Sequence, residues 1–136
     1  MYAQPLKLFW LWLFPLILSA NFVHWKGDYT MAHQKALHAH KPLLVLLVKK
    51  GSSRSGDMIK HIFMDQPYID TINEKAVAVI VTYEGKQNYP VEMYYATCFP
   101  ALFFVDSSRE IFLTEPVYGN ALSVKVIKEK VIEVLK

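Results

Sequence analysis

Six consecutive aliphatic residues, Leu43 to Val48, run without helical or alternating period and stop at Lys49, Lys50 and Gly51. A run this short, closed by a glycine, reads as a β-strand buried on both faces. Such a strand is central to its sheet and needs covering layers on either side. Gly51 breaks it. Ser52, Ser53, Ser55 and Asp57 then offer short oxygen side chains where a helix needs its first free N–H groups satisfied. A helix carrying Met58, Ile59, Ile62 and Phe63 is expected to follow.

The rest of the chain supplies the layers. Asp28 can cap a helix in which Tyr29, Ala32, Ala36 and Leu37 form a narrow apolar stripe, ending near His40 before Pro42. Asp65, Gln66 and Pro67 mark a kink or a restart, followed by Tyr68, Ile69 and Ile72. Residues Ala76 to Val81 read as a second buried strand, with Tyr83 to Lys86 as its polar exit loop. Asn88, Tyr89 and Pro90 can start a short helix. Ala101 to Asp106, a turn at Ser107 and Ser108, and a return over Glu110 to Thr114 read as an antiparallel hairpin. Gly119 and Asn120 are expected to open the last helix, whose inner face is Ala121 or Leu122, then Val124, Ile127, Val131 and Leu135. At 136 residues this is one domain. Its class is α/β, with a mixed four-stranded sheet flanked by helices on both faces.

The first twenty residues are of another kind. Lys7, then the apolar run Leu8 to Ala20 ending in small residues, has the pattern of a signal peptide, cleaved after Ala20 and leaving a domain over 21–136. The location implied is periplasmic or otherwise exported. A spanning helix needs about 20 apolar residues, so membrane association is expected only if this segment stays uncleaved as an anchor. No cysteine follows the run, which argues against a lipid-anchored form. A net charge of +3 is too slight, and too evenly spread, to argue for nucleic acid, and none is expected as a partner. Export implies an oxidising compartment, yet the chain has one cysteine, Cys98, so no intrachain disulfide can form. A lone thiol there is either buried and inert or exposed and paired with something else; the buried state is the expectation.

The strand, loop and helix start around Gly51 resemble the active-site segment of the thioredoxin-like superfamily. Its two redox cysteines would fall on Ser52 and Ser55, the following basic residue on Gly56, and a methionine on Met58. Two further stretches carry the likeness: Ile62 to Val81, with its phenylalanine, acidic residue and proline before a short helix, and Ala96 to Asp106, where Pro100 matches the cis-proline that opens the third strand. Trp25, Asp28, Tyr29 and the Lys41-Pro42 entry to the first strand resemble one branch in particular. These are small exported bacterial proteins akin to the soluble C-terminal domain of the membrane thiol-disulfide interchange reductase. The resemblance implies a cis Phe99–Pro100 bond and a peptide groove, with Phe99 and Pro100 on one side and Ser52, Ser53, Arg54 and Ser55 on the other.

What it does not carry over is the chemistry. A redox member works through a stabilised thiolate that attacks a disulfide and is resolved by a second cysteine. A serine at Ser52 is not appreciably ionised at neutral pH and forms no mixed disulfide. Were Ser52 and Ser55 engineered in place of cysteines, the native protein would be an ordinary oxidoreductase. As written, three functions remain. The groove can bind an envelope protein or an extended peptide segment, with Lys49, Lys50 and Arg54 drawing acidic stretches, or it survives only as scaffold. Cys98, two residues before Pro100, can act as a single reactive thiol. The Gly51 to Ser55 loop can bind an anion at a helix start, although it lacks the ending of a nucleotide P-loop.

Other clusters are weaker. His33, His38 and His40 crowd the first helix, with His24 and His61 elsewhere, but no pair on that helix has the i,i+3 or i,i+4 spacing of a metal site. They are expected to be solvated, with no metal and no cofactor. Asp57, Asp65, Asp70 and Glu74 follow helix polarity and are expected to face water. A pairing of Ser52 or Ser55 with His61 lacks an orienting acid.

Overall fold

The computed structural model describes residues 21–85 and 88–136, with side chains except at Arg54 and Ser55. The signal peptide expected over residues 1–20 lies outside them. The elements run α1 (Tyr29–Ala39), β1 (Leu43–Lys49), α2 (Ser53–Phe63), α3 (Ile69–Lys75), β2 (Val77–Tyr83), β3 (Ala101–Asp106), β4 (Ile111–Phe112), β5 (Val117–Tyr118), a 3-10 turn (Gly119–Ala121) and α4 (Val124–Val134).

β1 lies at the centre. It pairs in parallel with β2, from Leu43 opposite Val77 to Lys49 opposite Tyr83, and antiparallel with β3, from Leu43 opposite Val105 to Leu47 opposite Ala101. With both edges hydrogen-bonded and both faces covered, Leu43 to Leu47 have no exposed surface. Alternation along the strand divides the apolar side chains between two cores. Leu44 and Leu46 pack with Ile62, Phe63 and Ile127 on one face, while Leu43, Val45 and Leu47 pack with Ala32, Ala36, Tyr94 and Phe103 on the other. Each buried leucine stabilises by about 1.5–3 kcal/mol.

The sheet has five strands where four are expected. The return after β3 is broken in two: β4 pairs with Val105 and Asp106, and β5 with Ala101 and Leu102, so both lie along the same edge of β3. Pro116, just before β5, has no N–H to donate to a ladder, which interrupts a continuous strand. The turn before β4 is held by Asp106, whose carboxylate accepts from the backbone N–H groups of Ser108 (3.0 Å) and Arg109 (3.1 Å), and it closes with Glu110 at φ 53°.

Local chemistry sets the helix ends. Asp28 caps α1 by accepting from the Met31 N–H at 2.9 Å, and His40 ends it in the left-handed region ahead of Pro42. Leu37, expected in the inner stripe, is 38% exposed, because the narrow face of α1 is filled by Tyr29, Ala32 and Ala36. The last helix starts at Val124, not at Gly119: Ser123 accepts from the Val126 N–H at 3.2 Å, and Gly119 to Ala121 form a separate 3-10 turn. Pro90 to Tyr94 make a turn and no helix, with the Met93 N–H donating to the Pro90 carbonyl at 3.1 Å. Tyr83 belongs to β2 and not to its exit loop, since Thr82 and Tyr83 suit a half-buried pleated surface.

The outer edge of β2 is capped by one residue. The Lys26 N–H donates to the Ala78 carbonyl at 2.8 Å, and the Ile80 N–H donates to the Lys26 carbonyl at 3.0 Å. Among the described residues no helix is long and apolar enough to cross a membrane.

Candidate functional site at the carboxyl end of the central strand

The strand registers bring the serine loop and the proline turn to one end of the sheet. Leu47 pairs with Ala101, so Pro100 stands beside the last residues of β1, and Lys49 pairs with Tyr83. The loop leaves β1 through Gly51 at φ 78°, a conformation glycine adopts without strain. The Ser52 N–H donates to the Lys49 carbonyl and the Ser52 carbonyl accepts from the Gly56 N–H, each at 3.4 Å. Ser52 is thereby fixed immediately before the first turn of α2, half-buried, with Ser53 exposed beside it. An open depression of about 510 Å³ lies here, lined by Lys49, Ser52, Ser53, Ile59 and Thr82 among others. The side chains of Arg54 and Ser55 lie outside the described atoms.

On the neighbouring turn the Phe99–Pro100 peptide bond is cis. The Pro100 carbonyl accepts from the Gly119 N–H at 2.8 Å, tying the turn to the end of β5. The Phe99 ring is half-buried and packs on Tyr83, with centroids 5.0 Å apart. This contact belongs to the α1 face of the sheet, whereas Ile59 and Val48 beside Ser52 belong to the α2 face. The Phe99 side chain and the serine depression are therefore on opposite faces. Tyr83 was absent from the sequence-derived site. Its hydroxyl is held above its usual pKa, first by the Glu84 carboxylate next to it and then by desolvation.

Cys98 corrects the expectation of a buried thiol: it is exposed. It precedes the strand and lies in a bend packed by Gly119, where an added Cβ would come within 3.1 Å of the Cys98 Cβ. No sequence pattern announced that contact, because it joins residues far apart along the chain.

The remaining candidates are dispersed. His33 is not simply solvated: its Nε2 lies 2.7 Å from the Ser107 carbonyl, with the Glu110 carboxylate at 3.8 Å. His24, His38, His40 and His61 are exposed. Among the described residues no group of three or more His, Cys, Asp or Glu is placed to hold a metal ion. His61 lines a different cavity from Ser52, with Asp57, Met58 and Leu122. Asp57, Asp65, Asp70 and Glu74 are exposed, but two have structural partners: Asp65 accepts from the Asn21 backbone N–H and Asp70 from its side-chain amide.

The arrangement is a strand-to-helix turn that carries Ser52, next to a cis-proline turn. Comparison with solved structures agrees on the architecture. The chain is similar to a DsbH oxidoreductase over 83% of its length and 85% of that chain, with 19% identity and a TM-score of 0.59. It is similar to a thioredoxin from Thermus thermophilus over 82% of its length and 86% of that chain, with 13% identity and a TM-score of 0.64. No family model and no curated protein sequence matches. The protein is an α/β chain of thioredoxin-like fold.

Proposed function

We propose that this is an exported thioredoxin-fold protein that lacks dithiol exchange and binds an extended segment of another envelope protein. What supports the reading is that Ser52, fixed at the start of α2 beside a cis-proline turn, stands where the sequence resemblance places the first redox cysteine. A serine hydroxyl fixed at a helix start can hydrogen-bond a passing peptide. It cannot form a mixed disulfide. Backbone ahead of a cis-proline could supply main-chain partners for such a segment, and Lys49 and Lys50 favour acidic ones.

The test has two parts. In an insulin-reduction assay with dithiothreitol the protein should leave the rate at background, and the double variant Ser52→Cys, Ser55→Cys should raise it well above background. Catalysis by the unsubstituted chain would sink the reading. A photo-crosslinking residue at Ser53 should capture an envelope protein in cells, while one at Ile132 should not; equal capture at both sites would remove the groove from consideration.

A second reading is favoured by the exposure of Cys98. It would act as a single thiol that forms mixed disulfides with client proteins. Acid quenching, alkylation and non-reducing gels separate the two: a higher-mass band that vanishes with reductant and in Cys98→Ser supports the single thiol, and a free thiol with no adduct rejects it.

A further inference from the structure

At the opposite end of the sheet, where β1 and β2 begin, a cationic pocket has no place in the function proposed above. His24, Lys26, Lys35 and Lys41 line a cavity of about 90 Å³ whose floor is the start of β2. The three lysines come from three fixed elements. Lys26 is pinned on the edge of β2 by its two backbone hydrogen bonds, Lys35 projects from α1, and Lys41 is held by its N–H donating to the Ala36 carbonyl at 2.9 Å. The Lys41 carbonyl also accepts from the Ser107 hydroxyl at 2.8 Å.

Among the described residues none of these lysines has a carboxylate within salt-bridge distance; the ion pairs lie elsewhere, at Arg109, Lys130 and His33. Asn73, the other polar side chain of the cavity, is already committed. Its Oδ1 accepts from the His24 N–H at 2.8 Å and its Nδ2 donates to the Phe22 carbonyl at 3.0 Å. The Lys26 ammonium is held below its ordinary pKa by the close approach of the Lys35 side chain and then by its charge, in keeping with two ammoniums sharing one cavity. Like charges gathered around one cavity are relieved by an anion between them.

We propose that this pocket binds a small tetrahedral oxyanion, phosphate or sulfate, through Lys26, Lys35 and Lys41, with His24 at its mouth. Lysine ammoniums suit such an ion as mobile point charges. Donors converging from separate elements match four oxygens pointing in four directions better than a planar carboxylate. The volume sets an upper bound, being smaller than the roughly 150 Å³ cavity that accommodates benzene. A whole nucleotide is too large, so the ligand is the free ion or the end group of a monoester.

The test is a titration of the ¹⁵N-labelled protein with sodium phosphate, ionic strength held constant with sodium chloride. Amide shifts should saturate at Lys26, Lys41 and Ala78, and both Lys35→Gln and Lys41→Gln should weaken binding about tenfold, the loss of one charge-assisted contact. Sodium acetate should leave these amides unmoved. Glycerol 3-phosphate binding at least as tightly as phosphate assigns a monoester end group, and weaker binding assigns the free ion. Shifts that do not saturate, an unchanged affinity in both folded variants, or acetate matching phosphate would each overturn the proposal.

Discussion

Tyr29 and Tyr94 meet hydroxyl to hydroxyl at 2.8 Å inside the α1-face core, with their rings edge to face at 5.5 Å. A buried hydroxyl left without its partner costs about 1–3 kcal/mol, whereas removing both leaves nothing unsatisfied. Tyr29→Phe and Tyr94→Phe should each destabilise by about that amount, and the double variant by clearly less than the sum, as urea denaturation of the four proteins would measure. Tyr68 makes a pH-dependent contribution on the other face. Its hydroxyl donates to the Ile62 carbonyl, and burial pushes its pKa from 10.0 to about 12. Because the folded form holds its proton more tightly than the unfolded chain, its contribution is present in full below pH 10. It is lost as the pH rises toward and through 12. Tyr68→Phe should therefore lose stability at neutral pH and show a shallower alkaline decline than the parent. An identical slope would mean that Tyr68 ionises freely in the fold.

At the scale of elements, the turn that positions Cys98 and Pro100 depends on a glycine elsewhere in the chain. Gly119 sits at φ 52° and donates its N–H to the Pro100 carbonyl, with the Cys98 Cβ close by. Alanine there carries a left-handed backbone penalty of about 1–2 kcal/mol and crowds Cys98. Gly119→Ala should lower stability by at least that amount and change the alkylation rate of Cys98, whereas Gly27→Ala, with open space around it, should leave that rate alone. The central strand has the steepest requirement. Leu44→Ala should cost about 2–5 kcal/mol in a denaturant titration, since its neighbours on both sides are themselves hydrogen-bonded strands with little freedom to close the cavity.

For the whole molecule, two cores share one sheet, so neither can come apart while the other keeps β1 in place. Far-UV and near-UV circular dichroism should report the same thermal midpoint; a lower near-UV midpoint would mean that the aromatic packing of the cores loosens before the helices and sheet melt. The central strand, the Asp28 cap and the α/β class were legible in sequence, because each depends on residues within a few positions of one another; the helix expected from Asn88 to Pro90 did not form. An unbroken aliphatic run declares a strand with two covered faces. Tertiary structure alone decided the splitting of the outer strand, the exposure of Cys98, the position of Phe99 on the face away from Ser52, and the gathering of Lys26, Lys35 and Lys41. Those outcomes depend on pairing register and on contacts between residues distant in the chain, and periodicity along a sequence carries no information about either.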